Sequence, residues 1–67
     1  MEVIVNGKVI GNVTTNRGLT IDDVMYALGY DIDSQDDCEK AYATGVEGFY
    51  LDDEGNYYFD EDSVKME

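Results

Sequence analysis

The chain opens with short runs of β-branched apolar residues, Val3-Ile4-Val5 and Val9-Ile10, set between polar ones. Glu2 to Asn6 is short and β-branched and runs directly into Asn6-Gly7. Asn-Gly is a strong hairpin signal, because a type I′ turn needs positive φ at both central residues. With Lys8 to Thr15 as the return strand, Val5 faces Lys8, Ile4 faces Val9 and Val3 faces Ile10. One face of this hairpin then carries Ile4, Val9 and Val13, and the other Val3, Val5 and Ile10. Both faces are apolar near the turn, so the hairpin is expected to lie covered within a sheet or to keep one face for a partner.

After a loop at Asn16-Arg17-Gly18 the period changes from two to 3.6. Ile21, Val24, Met25 and Leu28 follow i, i+3, i+4, i+7 spacing and form one apolar stripe. Thr20 is placed to cap this helix, with Asp22 and Asp23 in a first turn whose dipole favours anions. Leu19 and Val24 fit a hydrophobic staple, and Gly29 is the expected left-handed stop, with Tyr30 folding back toward Met25. Tyr30 to Asp33 connects to a second helix, capped by Ser34 and running to about Thr44 before Gly45. Asp36 and Asp37 fall in its first turn, and Cys38, Ala41 and Tyr42 make a narrow apolar side.

Strand patterning returns at Val46 to Leu51 and Asn56 to Asp60, joined by Asp52-Asp53-Glu54-Gly55, a four-residue connection of ordinary hairpin length. Glu61 to Glu67 is expected to be a frayed tail or a single helical turn. The order ββααββ over residues 1–67 predicts one small α+β domain with one or two short helices. Its strands form one four-stranded antiparallel sheet or two packed hairpins.

Composition narrows what this domain can do. At 67 residues the chain buries only about 60% of the surface its unfolded form exposes, so its stability margin is thin. The single Cys rules out an intrachain disulfide, and with no His the usual zinc ligand sets are missing. One free thiol and no signal-peptide pattern fit a cytoplasmic location, and no apolar run is long enough to span a bilayer. Eight aromatics and clear turn residues argue for a folded state despite the high charge.

Charge is the strongest deviation from the average. Residues 1–21 carry +1, whereas residues 22–67 carry −13. The resulting net charge of −12 exceeds the roughly 2–8 that keeps a small domain soluble, and self-repulsion disfavours its compact state. It also argues against direct contact with nucleic acid or an anionic membrane. The fitting partner is basic.

Other chemistry is poorly supported. Asp31 to Asp36 opens like a calcium loop, but the sixth position is Asp36 instead of Gly and the twelfth is Tyr42 instead of Glu. Cys38 lies between Asp37 and Glu39, which disfavour its thiolate, so it reads as a small core residue. There is no Ser/His or Cys/His nucleophile system, no phosphate-binding glycine loop, and too little chain to enclose a substrate pocket. No cofactor and no enzymatic activity are expected.

The acids that remain come in runs: Asp36, Asp37 and Glu39; Asp52, Asp53 and Glu54; Asp60, Glu61 and Asp62, with Glu47 between them. On strands and helices, carboxylates about 5–7 Å apart approximate the phosphate spacing of a nucleic acid backbone. Tyr26 points away from its helix's apolar stripe, and either Tyr57 or Tyr58 must be exposed, which suits contact with arginine.

In size, charge, aromatic content and clustered acids such as Leu51-Asp52-Asp53-Glu54-Gly55 and Phe59-Asp60-Glu61-Asp62, the chain resembles the small acidic nucleic-acid mimics of phages and mobile elements, among them anti-CRISPR and anti-restriction inhibitors. That resemblance implies a non-enzymatic blocker in the cytoplasm of a host bacterium. Its partner would be a basic nucleic-acid-binding protein, such as an effector nuclease or surveillance complex. The alternative is an adaptor or oligomer subunit, a homodimer included, that uses the apolar hairpin Val3–Ile10.

Overall fold

The computed structural model describes residues 1–14 and 18–67. Strand β1 spans Glu2–Val5, β2 Lys8–Asn12, helix α1 Ile21–Ala27, α2 Gln35–Ala43, β3 Phe49–Leu51 and β4 Tyr57–Phe59, followed by a 3₁₀ turn at Glu61–Ser63 and β5 at Val64–Met66. The strands form an antiparallel three-stranded sheet in the order β2-β1-β5 and a separate antiparallel pair, β3-β4. This is a small single domain of the α+β class. Two hairpins are present, and the first is widened by the C-terminal strand.

The first turn is built by Asn6 and Gly7, at φ +52° and +79°, and Val5 and Ile4 pair with Lys8 and Val9 as the turn dictates. The register then breaks. A bulge between Val3 and Ile4 sets Val3 opposite Gly11 instead of Ile10. The extra residue reverses the phase of the second strand beyond it. Val13, expected beside Ile4 and Val9, is instead buried with Val3 and Val24. Only Ile4 and Val9 of the expected apolar set are left on the opposite face. The return strand ends at Asn12 and not Thr15, and the loop expected at Asn16-Arg17 lies outside the described residues.

Both helices start and stop for reasons visible in their residues. The Thr20 hydroxyl accepts from Asp23 N at 3.2 Å, and the Asp23 carboxylate accepts from Thr20 N at 3.2 Å, closing a capping box. Gly29, at φ +97°, ends α1: its N–H donates to Tyr26 and that of Tyr30 to Met25. Gly45 ends α2 in the same way, with donation to Tyr42 and from Val46 N to Ala41. Each is a Schellman motif, which satisfies helix carbonyls otherwise left without partners.

α1 places Val24 and Met25 at zero exposure beneath the three-stranded sheet, and α2 packs on the β3-β4 pair. Val5, Met25, Cys38, Ala41, Phe49 and Phe59 form one core cluster; Val3, Val13 and Val24 form the other. Ile10, Leu28 and Val64 touch both. At the seam, Gly48 adopts φ +90°, and a Cβ there would lie 2.7 Å from both Val5 and Phe59. Only glycine lets the second hairpin come this close to the first sheet. Tyr42, expected on the apolar side of α2, is exposed along much of its length but rests against the Tyr57 ring, 5.5 Å between centroids.

The segment after Phe59 does more than fray or make one turn. Its 3₁₀ turn hands the chain to β5, where Val64 faces Val5 and Met66 faces Val3. Without β5, β1 would be an edge strand. β4 has its own cover: the Gln35 amide donates to Tyr57 O at 2.6 Å and accepts from Tyr57 N at 2.9 Å, closing that backbone edge with a side chain.

Candidate functional site

Several carboxylates expected at an interface are first of all parts of the scaffold. Asp52 Oδ1 accepts from Glu54 N at 2.9 Å and Asn56 N at 2.8 Å, while Gly55 N donates to Asp52 O and Asp52 N to Asn56 O. With Gly55 at φ +86°, this is a three-residue connection, not one of four. It shifts the register so that Leu51 faces Tyr57 and Tyr50 faces Tyr58. Asp60 Oδ1 accepts from Asp62 N at 3.0 Å and starts the 3₁₀ turn. Asp37 Oδ2 accepts from Asp31 N, and Asp31 Oδ1 from Asp33 N, each at 3.1 Å, which fixes the connector between the helices. Glu47 accepts from Asn6 Nδ2 at 3.3 Å. Asp36, Glu39, Asp53, Glu54, Glu61 and Asp62 stand exposed.

The fold gathers acids from segments distant in the chain. Glu61 on the 3₁₀ turn meets Asp22 on α1 closely enough for the two carboxyls to share a proton. That hydrogen bond raises the Glu61 pKa above its ordinary value, with smaller contributions from desolvation and from the charges of Asp22, Asp33 and Asp62. Asp33 also lies within electrostatic reach of Cys38. The thiol is pushed upward, first by burial and then by Asp37, Asp31 and Asp33. Asp33 thus lies within electrostatic reach of both Glu61 and Cys38. Tyr26, 70% exposed, follows Asp22 by four residues on the same face of α1.

A second assembly lies on the β3-β4 pair. Phe49 and Phe59 face the core, which turns Tyr50 and Tyr58 outward, with centroids 5.8 Å apart and the rings 38% and 45% exposed. Of the two expected candidates, Tyr58 is the exposed one; Tyr57 is half-buried against Tyr42. Asn6 Nδ2 donates to both Tyr50 Oη, at 3.1 Å, and Glu47, so a carboxylate lies beside the Tyr50 hydroxyl. Asp53 and Glu54 sit at the hairpin tip, and Asp36 and Glu39 on α2.

The expected interface set omits Asp22, Asp31, Asp33 and Tyr50. Tyr50 was legible, since recognising Gly55 as the left-handed end of a three-residue turn places it opposite Tyr58. The approach of Glu61 to Asp22 and Asp33 leaves no sequence signal, because β5 pairing brings the C-terminal segment there. Three lysines stand among the described residues against sixteen carboxylates, so most of the acids have no cation to pair with. Among the described residues, no three acids or thiols converge as a metal-binding group, and no helix is long and apolar enough to cross a membrane.

Two shallow grooves adjoin one another beside the end of α2, sharing Tyr30, Thr44 and Val46. Lys40 and Asp37 border one, Lys8 and Glu47 the other. Opposite charges are thus balanced in each. No protein-family model matches this chain, and neither do curated proteins or solved structures.

Proposed function

We propose that this protein is a non-enzymatic decoy that occupies the basic nucleic-acid-binding groove of a partner in the cytoplasm of a bacterial host. What supports the reading is the net charge of −12, with Glu61 brought against Asp22 and within electrostatic reach of Asp33 and Asp62. Like charges held together cost folding free energy, and neighbouring cations would relieve that cost. A cationic cleft supplies them, and the repulsion built into the free protein is released on binding.

Dimensions support the reading. The molecule measures 36 × 21 × 18 Å along its principal axes. A net charge of −12 along 36 Å is one negative charge per 3 Å. One nucleic acid strand carries one per about 3.4 Å, and a duplex one per about 1.7 Å. The linear density is therefore that of a single strand. Binding should release counterions from the partner's groove and fall steeply with salt.

The test uses the intact protein as bait in a host lysate at low and high salt, followed by competition with single-stranded nucleic acid. The reading expects capture of a nucleic-acid-binding protein that both salt and the competing strand release. Capture that persists in high salt would instead support an apolar interface, for which Ile4 and the 47%-exposed Val9 are the available surface.

A further inference from the structure

The outward face of the β3-β4 pair combines two features that seldom meet on a small surface. Its floor is aromatic: Tyr50 and Tyr58 pair across the strands, tilted by 38°, with much of each ring open to solvent. Its margin is anionic. Asp52 and Asp60 lie just past the ends of the two strands, two residues after Tyr50 and Tyr58. Glu47 flanks the side, held next to the Tyr50 hydroxyl by the shared Asn6 amide. Asp52 and Asp60 use Oδ1 for backbone N–H groups, which fixes both carboxylates.

Two exposed rings with Glu47 held beside one of them and carboxylates fixed just past the strand ends match one side chain better than any other. A guanidinium is planar, stacks on aromatic faces and pairs with carboxylates through its edge, whereas an ammonium is a compact, strongly hydrated point charge. We propose that the Tyr50–Tyr58 face is an arginine-docking platform, which receives an arginine from the basic segment of the partner protein. This inference rests on the decoy reading and adds a specificity element to it. The net negative charge supplies attraction for any polycation; the platform selects arginine over lysine at one place.

The experiment is calorimetric titration of the whole protein with nona-arginine and nona-lysine peptides at equal ionic strength, with binding mapped by NMR. Arginine should bind tighter by about threefold or more, the scale of an exposed cation–π contact. Its largest shifts should fall on the Tyr50 and Tyr58 rings. Tyr50→Thr with Tyr58→Thr keeps residues suited to strands and should abolish the preference while leaving nona-lysine affinity unchanged. Tyr26→Leu should preserve it. Equal affinity of the two peptides for the unmodified protein overturns the platform but leaves the decoy reading standing, and so does a preference that survives in the folded double variant. If neither peptide binds, both are overturned.

Discussion

Single carboxylates in this protein divide into those that hold backbone and those that only carry charge, and neighbours in the chain fall on opposite sides of that division. Asp52 accepts two backbone N–H groups, whereas Asp53, one residue on, is exposed and has no hydrogen-bond partner among the described residues. Asp52→Ala should cost about 1–2 kcal/mol in chemical denaturation, the scale of a lost cap, with Asp52→Asn recovering part of it. Asp53→Asn should stay within about 0.5 kcal/mol of the parent. Charge-neutralising tests of binding must therefore use Asn at position 52, or loss of fold will pass for loss of contact.

Glu61 shows the cost of gathered charge. Its pKa is raised through sharing a proton with Asp22, so the folded protein keeps a proton that the unfolded chain releases near 4.5. The stabilisation is fully present below that pH and is lost as pH rises through the higher folded value. Melting temperatures of Glu61→Gln should accordingly lack part of the parent's decline from pH 4 to 7. An unchanged profile would mean that Glu61 and Asp22 do not meet. Cys38 is buried and its thiolate disfavoured by Asp37, Asp31 and Asp33, so iodoacetamide should label it slowly until denaturant unfolds the chain.

Among the elements, those closed by local interactions were readable in advance, and those set by distant partners were not. Thr20, Ser34, Gly29 and Gly45 mark helix ends because capping involves residues a few positions apart. The Asn6-Gly7 turn was readable for the same reason. The bulge that sends Val13 inward responds to packing against α1: Gly11 fits beneath Leu28, whose Cδ2 would lie 2.7 Å from any added Cβ. β5 leaves no strand pattern in the sequence because Val64 to Met66 is only three residues long, and it becomes a strand by pairing with β1 from the other end of the chain. Gly48 is where these elements meet. Gly48→Ala should cost about 1–3 kcal/mol or more from overpacking, with added backbone strain at φ +90°. Gly11→Ala should cost less, since the atom in the way ends a flexible side chain.

For the whole molecule, the excess of acids was plain from composition, but its arrangement was not. The acids form three runs in the sequence, whereas folding brings Glu61 against Asp22 and within electrostatic reach of Asp33, with Asp53 and Glu54 at a hairpin tip. Of the tyrosines, Tyr26 points away from the core as its helical position dictates, and only register separates Tyr57 from Tyr58. Self-repulsion at −12 predicts that the melting temperature rises as salt is increased from about 10 mM toward 150 mM, where the Debye length falls from about 30 to 8 Å. A melting temperature indifferent to salt would mean that the charges do not oppose folding.

The most direct test of the decoy account is competition for the captured partner. With the partner bound to a labelled single strand, the intact protein should displace the strand stoichiometrically, less effectively as salt rises, and much less effectively when Asp22, Asp33, Glu61 and Asp62 are changed to Asn and Gln. Simultaneous binding of strand and protein, or displacement that survives neutralisation of those four residues, would contradict it.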